Sequence, residues 1–207
     1  VKCLKIRSRH YWVFLAGSAI LFVVAAFMLN RLAFYLSPVA LVIVFGYSFA
    51  KRFTSLSHLW LGVAISIAPV GAWVAVREEI SLVSLVLGAA VVFWLAGFDI
   101  IYSCMDMESD LKNRLHSIPQ KFGVERALKL AFLSHCFMIV FLLTLLLVPV
   151  LGGLYLGGVV LVAGLLYYEH SLVRPDDLSK VNIAFFNVNG MISVLLMVLV
   201  VADCVWV

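Results

Sequence analysis

Seven long apolar stretches dominate the sequence, and they limit what the chain can fold into. A helix that crosses a bilayer needs roughly 20 mostly apolar residues, because each residue advances about 1.5 Å along the axis. The runs are continuously apolar, whereas the strands of a membrane barrel alternate apolar and polar residues. The sequence therefore predicts a single all-α membrane domain over residues 1–207, a polytopic bundle of about seven transmembrane helices. The predicted spans are Tyr11–Leu29, Leu32–Ala50, Ser57–Val76, Ile80–Phe98, Leu130–Val150, Leu154–Tyr168 and Ile183–Ala202.

The composition agrees with this class of protein. Hydrophobic residues make up 65% of the 207 residues and charged residues 13%, against about half and about a quarter in an average soluble domain. A soluble fold of this length cannot hide so much apolar surface, so lipid must cover it. The four cysteines have no CxxC spacing, and we infer no redox chemistry from them.

Basic residues fall on one side of the predicted bundle. Of the 15 Lys and Arg residues, only Arg31 and Arg77 lie on the other side. The positive-inside rule then places the N-terminal tail and the 169–180 loop in the cytoplasm and predicts an inner (cytoplasmic) membrane protein. Anionic lipid headgroups account for the net charge of +4, and no nucleic-acid partner is predicted. The residues on the cytoplasmic side are Lys2, Lys5, Arg7, Arg9, Lys51, Arg52, Lys112, Arg114, Lys121, Arg126, Lys129, Arg174 and Lys180.

Four of the eleven acidic residues lie within twelve positions of the segment 99–129, which we predict to be a cytoplasmic loop. If the preceding helix continues into it, Tyr102, Asp106 and Asp110 fall at i, i+4 and i+8 on one face, with Asp99 near the same stripe. Carboxylates at this spacing repel each other unless a cation compensates them. Because Mg²⁺ binds one or two carboxylates together with phosphate oxygens, the stripe indicates half of a site for a magnesium–phosphate complex.

Two other interpretations of these charges remain open. The acidic segment can be a solvated loop that Lys112 and Arg114 neutralise. The second interpretation concerns the end of the second predicted span, where Tyr47 and Lys51 share a helical stripe. Cations there would suit a diphosphate held opposite the carboxylates. Arg52 can instead extend to the membrane interface and interact with the helix dipole.

At these two segments the sequence resembles the UbiA family of intramembrane aromatic prenyltransferases. The family's second aspartate motif, Y-x-x-x-D-x-x-x-D, is matched by Tyr102, Asp106 and Asp110. In the family it is often preceded by Asp three residues earlier and followed by Lys, Ser and a Phe-Gly pair, which stand here as Asp99, Lys112, Ser117, Phe122 and Gly123. The family's Y-x-x-x-K-R-F/Y-T stretch is matched by Tyr47, Lys51, Arg52, Phe53 and Thr54. Residues 172–182 and 185–190 resemble the 4-hydroxybenzoate or menaquinone-pathway branch of the family.

One departure from the family pattern is large. The family has nine spans and a first aspartate motif, N-D-x-x-D-x-x-x-D, between the second and third spans; this sequence contains no such motif. Residues 1–9 resemble the stretch just after it, so the resemblance implies that the chain corresponds to spans three to nine. We therefore expect this chain alone to be inactive, because half of the metal ligands are missing.

The resemblance also implies a reaction and a set of roles. The family transfers a polyprenyl group from a polyprenyl diphosphate to a hydroxylated aromatic acid, here 4-hydroxybenzoate or a naphthoate-type precursor, in ubiquinone or menaquinone biosynthesis. Mg²⁺ neutralises the departing diphosphate, and a dry pocket protects the allylic cation. The residue roles so implied are Asp106, Asp110 and Asp99 as metal ligands, Lys51, Arg52 and Lys112 as diphosphate contacts, and Tyr47, Lys51 and Tyr102 at the reacting centre.

Several polar residues are not assigned to this chemistry. His135 in the fifth predicted span and Asn189 in the last are expected to hydrogen-bond neighbouring helices. His58 and His116 lie at the cytoplasmic boundary without the spacing of metal ligands. Glu108 points away from the stripe and is expected to be solvated.

Two other functions remain as alternatives, a cation-coupled transporter and a CDP-alcohol-type phosphotransferase. A transporter places ionisable groups near the bilayer midplane, whereas here they cluster at the boundary. The phosphotransferase class carries a D-G-x-x-A-R signature, and nothing of that form precedes Asp106.

Overall fold

The computed structural model describes residues 8–206, and within that range the fold is built from helices. Seven helices have 18 residues or more, and one short helix follows the fourth of them. A 3-10 turn, Leu145–Leu147, ends α6, and a π-helical segment, Ile183–Val188, leads into α8. The predicted all-α class is confirmed. The helices are α1 Ser8–Leu29, α2 Arg31–Ala50, α3 Ser57–Arg77, α4 Leu82–Lys112, α5 Ile118–Phe122, α6 Val124–Thr144, α7 Gly153–Leu172 and α8 Asn189–Trp206.

Most of the long helices can cross a bilayer. By length and composition, six segments of the described chain qualify, and they contain α1, α2, α3, α4, α6 and α8. The predicted span Leu154–Tyr168 is present as α7, but α7 is not among the six. Its polar end, with Glu169 and His170, lowers its mean hydropathy. The chain is a multi-pass membrane protein.

Helix α4 differs most from the sequence prediction. We expected it to span Ile80–Phe98, and it instead runs from Leu82 to Lys112. Ser81 and Ser84 form a capping box at its start, and its 31 residues extend about 46 Å. A hydrocarbon core is only about 30 Å thick, so the last turns of α4 project beyond it.

The segment 99–129, which we expected to be a loop, is therefore mostly helical. It contains the end of α4, all of α5 and the start of α6, and only residues 113–117 and Gly123 are not in helices. Ser117 caps α5 by accepting a hydrogen bond from the Gln120 N–H at 3.4 Å. Gly123 adopts φ +80°, a left-handed conformation that separates α5 from α6.

The long helices pack in chain order, each against the next, with α4 at the centre. Helix α4 contacts α3 on one side and α6 on the other, and it also contacts the π-helical segment that precedes α8. Glycines permit the two close approaches: a Cβ on Gly62 would lie 2.4 Å from the Val92 carbonyl oxygen, and one on Gly97 would lie 2.2 Å from Nε2 of His135. Helices α1 and α2 bury few residues and lie at the periphery.

The bundle has two polar ends, which we call the motif end and the opposite end. The motif end contains residues 51–56, 113–123 and 173–182, and the opposite end contains Asn30, residues 78–81 and 145–152 and the last turn of α8. Nine of the basic residues predicted to share one side lie at or near the motif end, namely Lys51, Arg52, Lys112, Arg114, Lys121, Arg126, Lys129, Arg174 and Lys180. Lys2, Lys5, Arg7 and the side chain of Arg9 lie outside the described residues.

Candidate functional site

At the motif end, the last turn of α4 meets the end of α2. Nζ of Lys51 lies 3.5 Å from Oδ2 of Asp110, although 59 residues separate them in the sequence. The Asp110 side chain is 5% exposed and the Lys51 side chain 31% exposed. The His116 N–H also donates to the Lys51 carbonyl oxygen at 2.7 Å, which joins the end of α2 to the connection after α4. A nearly buried carboxylate is thus held against an ammonium group that remains accessible to solvent.

The predicted stripe forms because α4 stays helical through the motif. Tyr102, Asp106 and Asp110 lie one turn apart on α4, with Asp110 buried and the other two half-buried. Among the described residues, no ion pair involves Asp106. The two carboxylates therefore differ, since Asp110 has a cation partner and Asp106 has unused oxygen atoms.

Asp99, two turns before Asp106, faces a different partner. Its Oδ2 lies 2.6 Å from Nδ1 of His58, a fully buried residue in the first turn of α3. Nε2 of His58 lies 3.4 Å from the backbone N–H of Ile118, the first residue of α5. We had set His58 aside because it lacks the spacing of a metal ligand, and 41 residues separate it from Asp99. No local sequence signal could have joined them.

The other predicted site residues lie nearby but are less constrained. Arg52 is exposed, and its guanidinium carbon lies 5.5 Å from the centre of the Phe49 ring. Lys112 is exposed at the end of α4, and Tyr47 is half-buried one turn before Lys51. Glu108 is exposed, as expected for a position off the stripe.

Aromatic rings line the same region of α4. The Tyr102 and Phe185 ring centres are 4.5 Å apart, and Phe185 lies 5.2 Å from Phe98 in an edge-to-face arrangement. Trp94, one turn before Phe98 on α4, continues the row, and the centres of these two rings are 6.0 Å apart. Phe185 belongs to the π-helical segment, so this short segment brings an aromatic side chain against the face of α4 that carries Tyr102.

A buried polar cluster behind these rings holds the π-helical segment in place. Nδ2 of Asn189 donates to the Phe185 carbonyl oxygen at 3.0 Å, and its Oδ1 accepts from the Trp94 indole N–H at 2.8 Å. Asn189 also contacts Glu169, which is fully buried and whose Oε2 has no hydrogen-bond partner among the described residues. We predicted the interhelical role of Asn189, but nothing in the sequence identified Glu169 as its partner.

His135 occupies the adjacent position between α4 and α7. Its Nδ1 lies 2.9 Å from Nε2 of His170, and its Nε2 lies 3.2 Å from the Trp94 carbonyl oxygen. This arrangement is the interhelical hydrogen bonding predicted for an isolated histidine in a bundle.

No group of three or more His, Cys, Asp or Glu side chains in residues 8–206 converges as a metal site. Asp106 and Asp110 can nevertheless supply two carboxylates from adjacent turns, which is as many as Mg²⁺ commonly takes from a protein when a phosphate completes its shell. The donor chemistry therefore fits a magnesium ion that binds together with a phosphorylated substrate.

Comparison with known proteins identifies relatives for most of the chain. The sequence model of the UbiA prenyltransferase family matches residues 4–191. A 4-hydroxybenzoate octaprenyltransferase from Marinobacter nauticus is 33% identical over 169 residues, which cover 81% of this chain and 57% of the relative. One from Cupriavidus metallidurans is 31% identical over 180 residues, covering 84% of this chain and 60% of the relative.

A solved structure has the same fold. The apo structure of a UbiA homolog from Aeropyrum pernix K1 aligns with a TM-score of 0.83 at 30% identity, over 94% of this chain and 72% of that one. The chain thus spans a little more than half the length of the two octaprenyltransferases and a larger share of the solved homolog.

Proposed function

Because the chain belongs to the UbiA prenyltransferase family, we propose that it functions in the transfer of a polyprenyl group from a polyprenyl diphosphate to a hydroxylated aromatic acid. The acceptor is 4-hydroxybenzoate or a naphthoate-type precursor, and the product enters quinone biosynthesis. The observation that carries this proposal is the position of Asp110 beside Lys51, 3.5 Å apart across two helices. A carboxylate pair on α4 and an ammonium group at the end of α2 supply the charges that a metal-bound diphosphate needs.

Magnesium would bind at the stripe on α4. Asp106 and Asp110 would hold it, and Asp99, two turns before Asp106 on α4, is a third candidate ligand. When bound, Mg²⁺ supplies positive charge that stabilises the departing diphosphate.

The chain's own side chains would bind and orient the substrates. Lys51 has a solvent-accessible ammonium group close to the carboxylates, so it would donate hydrogen bonds to diphosphate oxygens. Arg52 and Lys112 are exposed at the same end and would contribute positive charge at longer range. Because charge develops on the leaving diphosphate as its bond to the prenyl carbon breaks, these cations stabilise the transition state more than the bound substrate.

The aromatic residues would surround the reacting carbon. Tyr102 is half-buried, lies one turn before Asp106 and packs against Phe185. Aromatic faces attract a cation and exclude water, so this wall would stabilise an allylic cation and protect it from hydrolysis. Tyr47 is half-buried one turn before Lys51 and would line the opposite side.

The basic motif end would face the cytoplasm, with the chain in the inner membrane. Arg31 and Arg77 are at the opposite end, and the imbalance of Lys and Arg supports this orientation.

The test is a transfer assay in membrane vesicles that contain a version of the protein that includes the first aspartate motif, and all rates below refer to that version. A long-chain prenyl diphosphate would be supplied with 4-hydroxybenzoate or a dihydroxynaphthoate, with and without Mg²⁺, and prenylated product measured by mass spectrometry. We expect product with one acceptor class and loss of product on chelation. If vesicles that contain the version with the first aspartate motif form no product with any acceptor, the proposal is wrong.

The same assay separates the activity from our expectation that this chain alone is inactive. Vesicles that contain residues 1–207 alone should form no product. Product from those vesicles would contradict that expectation and leave the proposed reaction intact.

A further inference from the structure

His58 connects three helices at the motif end, although it is not part of any motif that identifies the site. Its ring lies between Asp99 on α4 and the start of α5, and none of its surface is exposed. We propose that His58 is a positioning residue that holds the Asp99 carboxylate in one orientation toward the substrate site. This inference rests on the proposed function, because it assigns Asp99 a role in that site.

The hydrogen-bond partners determine which ring nitrogen carries the proton. A backbone N–H can only donate, so Nε2 of His58 must accept from Ile118. Nδ1 then carries the hydrogen and donates it to Oδ2 of Asp99 at 2.6 Å. The hydrogen bond that one nitrogen of an imidazole ring makes commonly determines whether the other nitrogen carries the proton.

This arrangement excludes two other roles for His58. Both ring nitrogens are occupied, so His58 can neither bind a metal ion nor accept a substrate proton without breaking a buried hydrogen bond. Among the described residues, the hydrogen bond to Asp99 is the contact that connects His58 to the proposed site.

The contact also determines which oxygen of Asp99 is available. Oδ2 is bound to His58, while the Asp99 side chain is still 19% exposed. Oδ1 is therefore the atom that can approach the magnesium–diphosphate complex. Removing a residue that hydrogen-bonds a metal ligand typically lowers metal affinity or activity by about 10- to 100-fold.

Two amide substitutions separate the two contacts of His58. The side-chain amide of Asn lies close to the position of Nδ1, so His58→Asn keeps a donor for Asp99 and loses the acceptor for Ile118. The amide of Gln lies close to the position of Nε2, so His58→Gln keeps an acceptor for Ile118 and loses the donor. Ser57→Ala is the matched control, because the Ser57 hydroxyl is also buried and has no partner among the described residues.

In the transfer assay we expect His58→Asn to stay within about threefold of the wild type and His58→Gln to lose roughly tenfold or more in kcat at comparable thermal stability. Ser57→Ala should match the wild type. If activity instead follows thermal stability across the variants, or if His58→Gln is the active one, the positioning role is wrong.

A spectroscopic measurement tests the contact without any turnover. In ¹⁵N-histidine-labelled protein, the His58 resonances, identified by their absence in His58→Asn, should show a protonated Nδ1 and an unprotonated Nε2. Asp99→Ala should shift the Nδ1 resonance. A protonated Nε2, or no response to Asp99→Ala, overturns the inference. Absence of prenyl transfer by the wild type that includes the first aspartate motif would instead refute the proposed function, and the spectrum would still decide whether His58 holds Asp99.

Discussion

The two ends of the bundle use polar side chains in different ways. At the opposite end, Asp203 on α8 is buried and accepts hydrogen bonds from the backbone N–H groups of Gly152 and Leu154 at the start of α7. Asn30 caps α2 by accepting from the Ala33 N–H, and it donates to the Val74 carbonyl oxygen on α3. These side chains bind backbone groups at helix ends, and the N–H groups of Gly152, Leu154 and Ala33 would otherwise lack an acceptor.

At the motif end, the carboxylates face other side chains that can ionise. Asp110 faces Lys51 at 3.5 Å, Asp99 faces His58, and Asp106 is in no ion pair among the described residues. Both oxygens of Asp203 accept from backbone N–H groups, whereas Asp106 and Oδ1 of Asp110 have no hydrogen-bond partner among the described residues. The comparison shows that backbone groups satisfy the buried carboxylate at the opposite end, whereas side chains or no partner at all face the carboxylates of the stripe.

Removing a carboxylate of the stripe should break the function without unfolding the protein. We expect Asp106→Ala, and likewise Asp110→Ala, to lower Mg²⁺-dependent prenyl transfer by at least about 100-fold, because the metal and with it the stabilisation of the leaving group are lost. The measurement is the initial rate at saturating substrates, with thermal unfolding followed in parallel.

Glu108→Ala is the matched control for this prediction. Glu108 lies on the same helix, is exposed and points off the stripe. Its rate should stay close to that of the wild type. Activity within a few-fold of the wild type in Asp106→Ala or Asp110→Ala would remove the stripe from the site.

Removing Asp203 should have the opposite outcome. Asp203→Ala leaves the N–H groups of Gly152 and Leu154 without their acceptor in a buried position, which costs about 1–3 kcal/mol of stability. The expected result is a lower thermal unfolding temperature in detergent or nanodiscs, with an unchanged rate per folded molecule.

Asp176, an exposed carboxylate at the motif end, provides the control. Asp176→Ala should change stability by no more than about 0.5 kcal/mol. If Asp203→Ala is as stable as Asp176→Ala, the distinction between the two ends of the bundle is wrong.

Lys51 should have a smaller effect than the carboxylates. We expect Lys51→Ala to lower kcat/KM for the prenyl diphosphate by about tenfold, through a lower kcat as well as a higher KM, since a charge-assisted hydrogen bond contributes about 1.5–3 kcal/mol and nearby cations compensate in part. Steady-state kinetics with the diphosphate varied would measure it.

Lys121→Ala is the comparison for Lys51→Ala, because Lys121 is an exposed lysine at the same end whose Nζ lies over the Phe122 ring. It should leave kcat/KM unchanged. Equal effects of the two substitutions would mean that general positive charge, rather than the position of Lys51, binds the diphosphate.

The smallest expected effect is a change in stability at Asp177, which lies in the connection between α7 and the π-helical segment. Hydrogen bonds from Ser179 hold the pKa of Asp177 below its usual value. Since the folded-state pKa is lower than the unfolded-state pKa, the contact adds stability above the unfolded pKa and loses it as pH falls through the folded pKa. Asp177→Asn should therefore be slightly less stable than the wild type at pH 7 and equal to it at a pH below both pKa values. A difference that persists at the lower pH would point to packing instead of charge.

Much of the helical architecture followed from the sequence. Spans such as Leu32–Ala50 and Ser57–Val76 were predicted to within a few residues, because hydrophobic length is a local property. The stripe of Tyr102, Asp106 and Asp110 was also predicted, since residues four apart share a face whenever a helix continues. The extent of α4 was not predicted, because the polar residues after Phe98 indicated a loop while packing against α3 and α6 keeps that stretch helical.

The sequence by itself determined the membrane class, the family motifs and the chemical types at the site. Only the tertiary structure decided which groups meet. Lys51 lies beside Asp110, and His58 beside Asp99, across 59 and 41 residues, and the buried Glu169 lies against Asn189. The physical reason is that helix periodicity relates residues within a few turns of one another, whereas the partner of a buried polar group depends on which helices pack together.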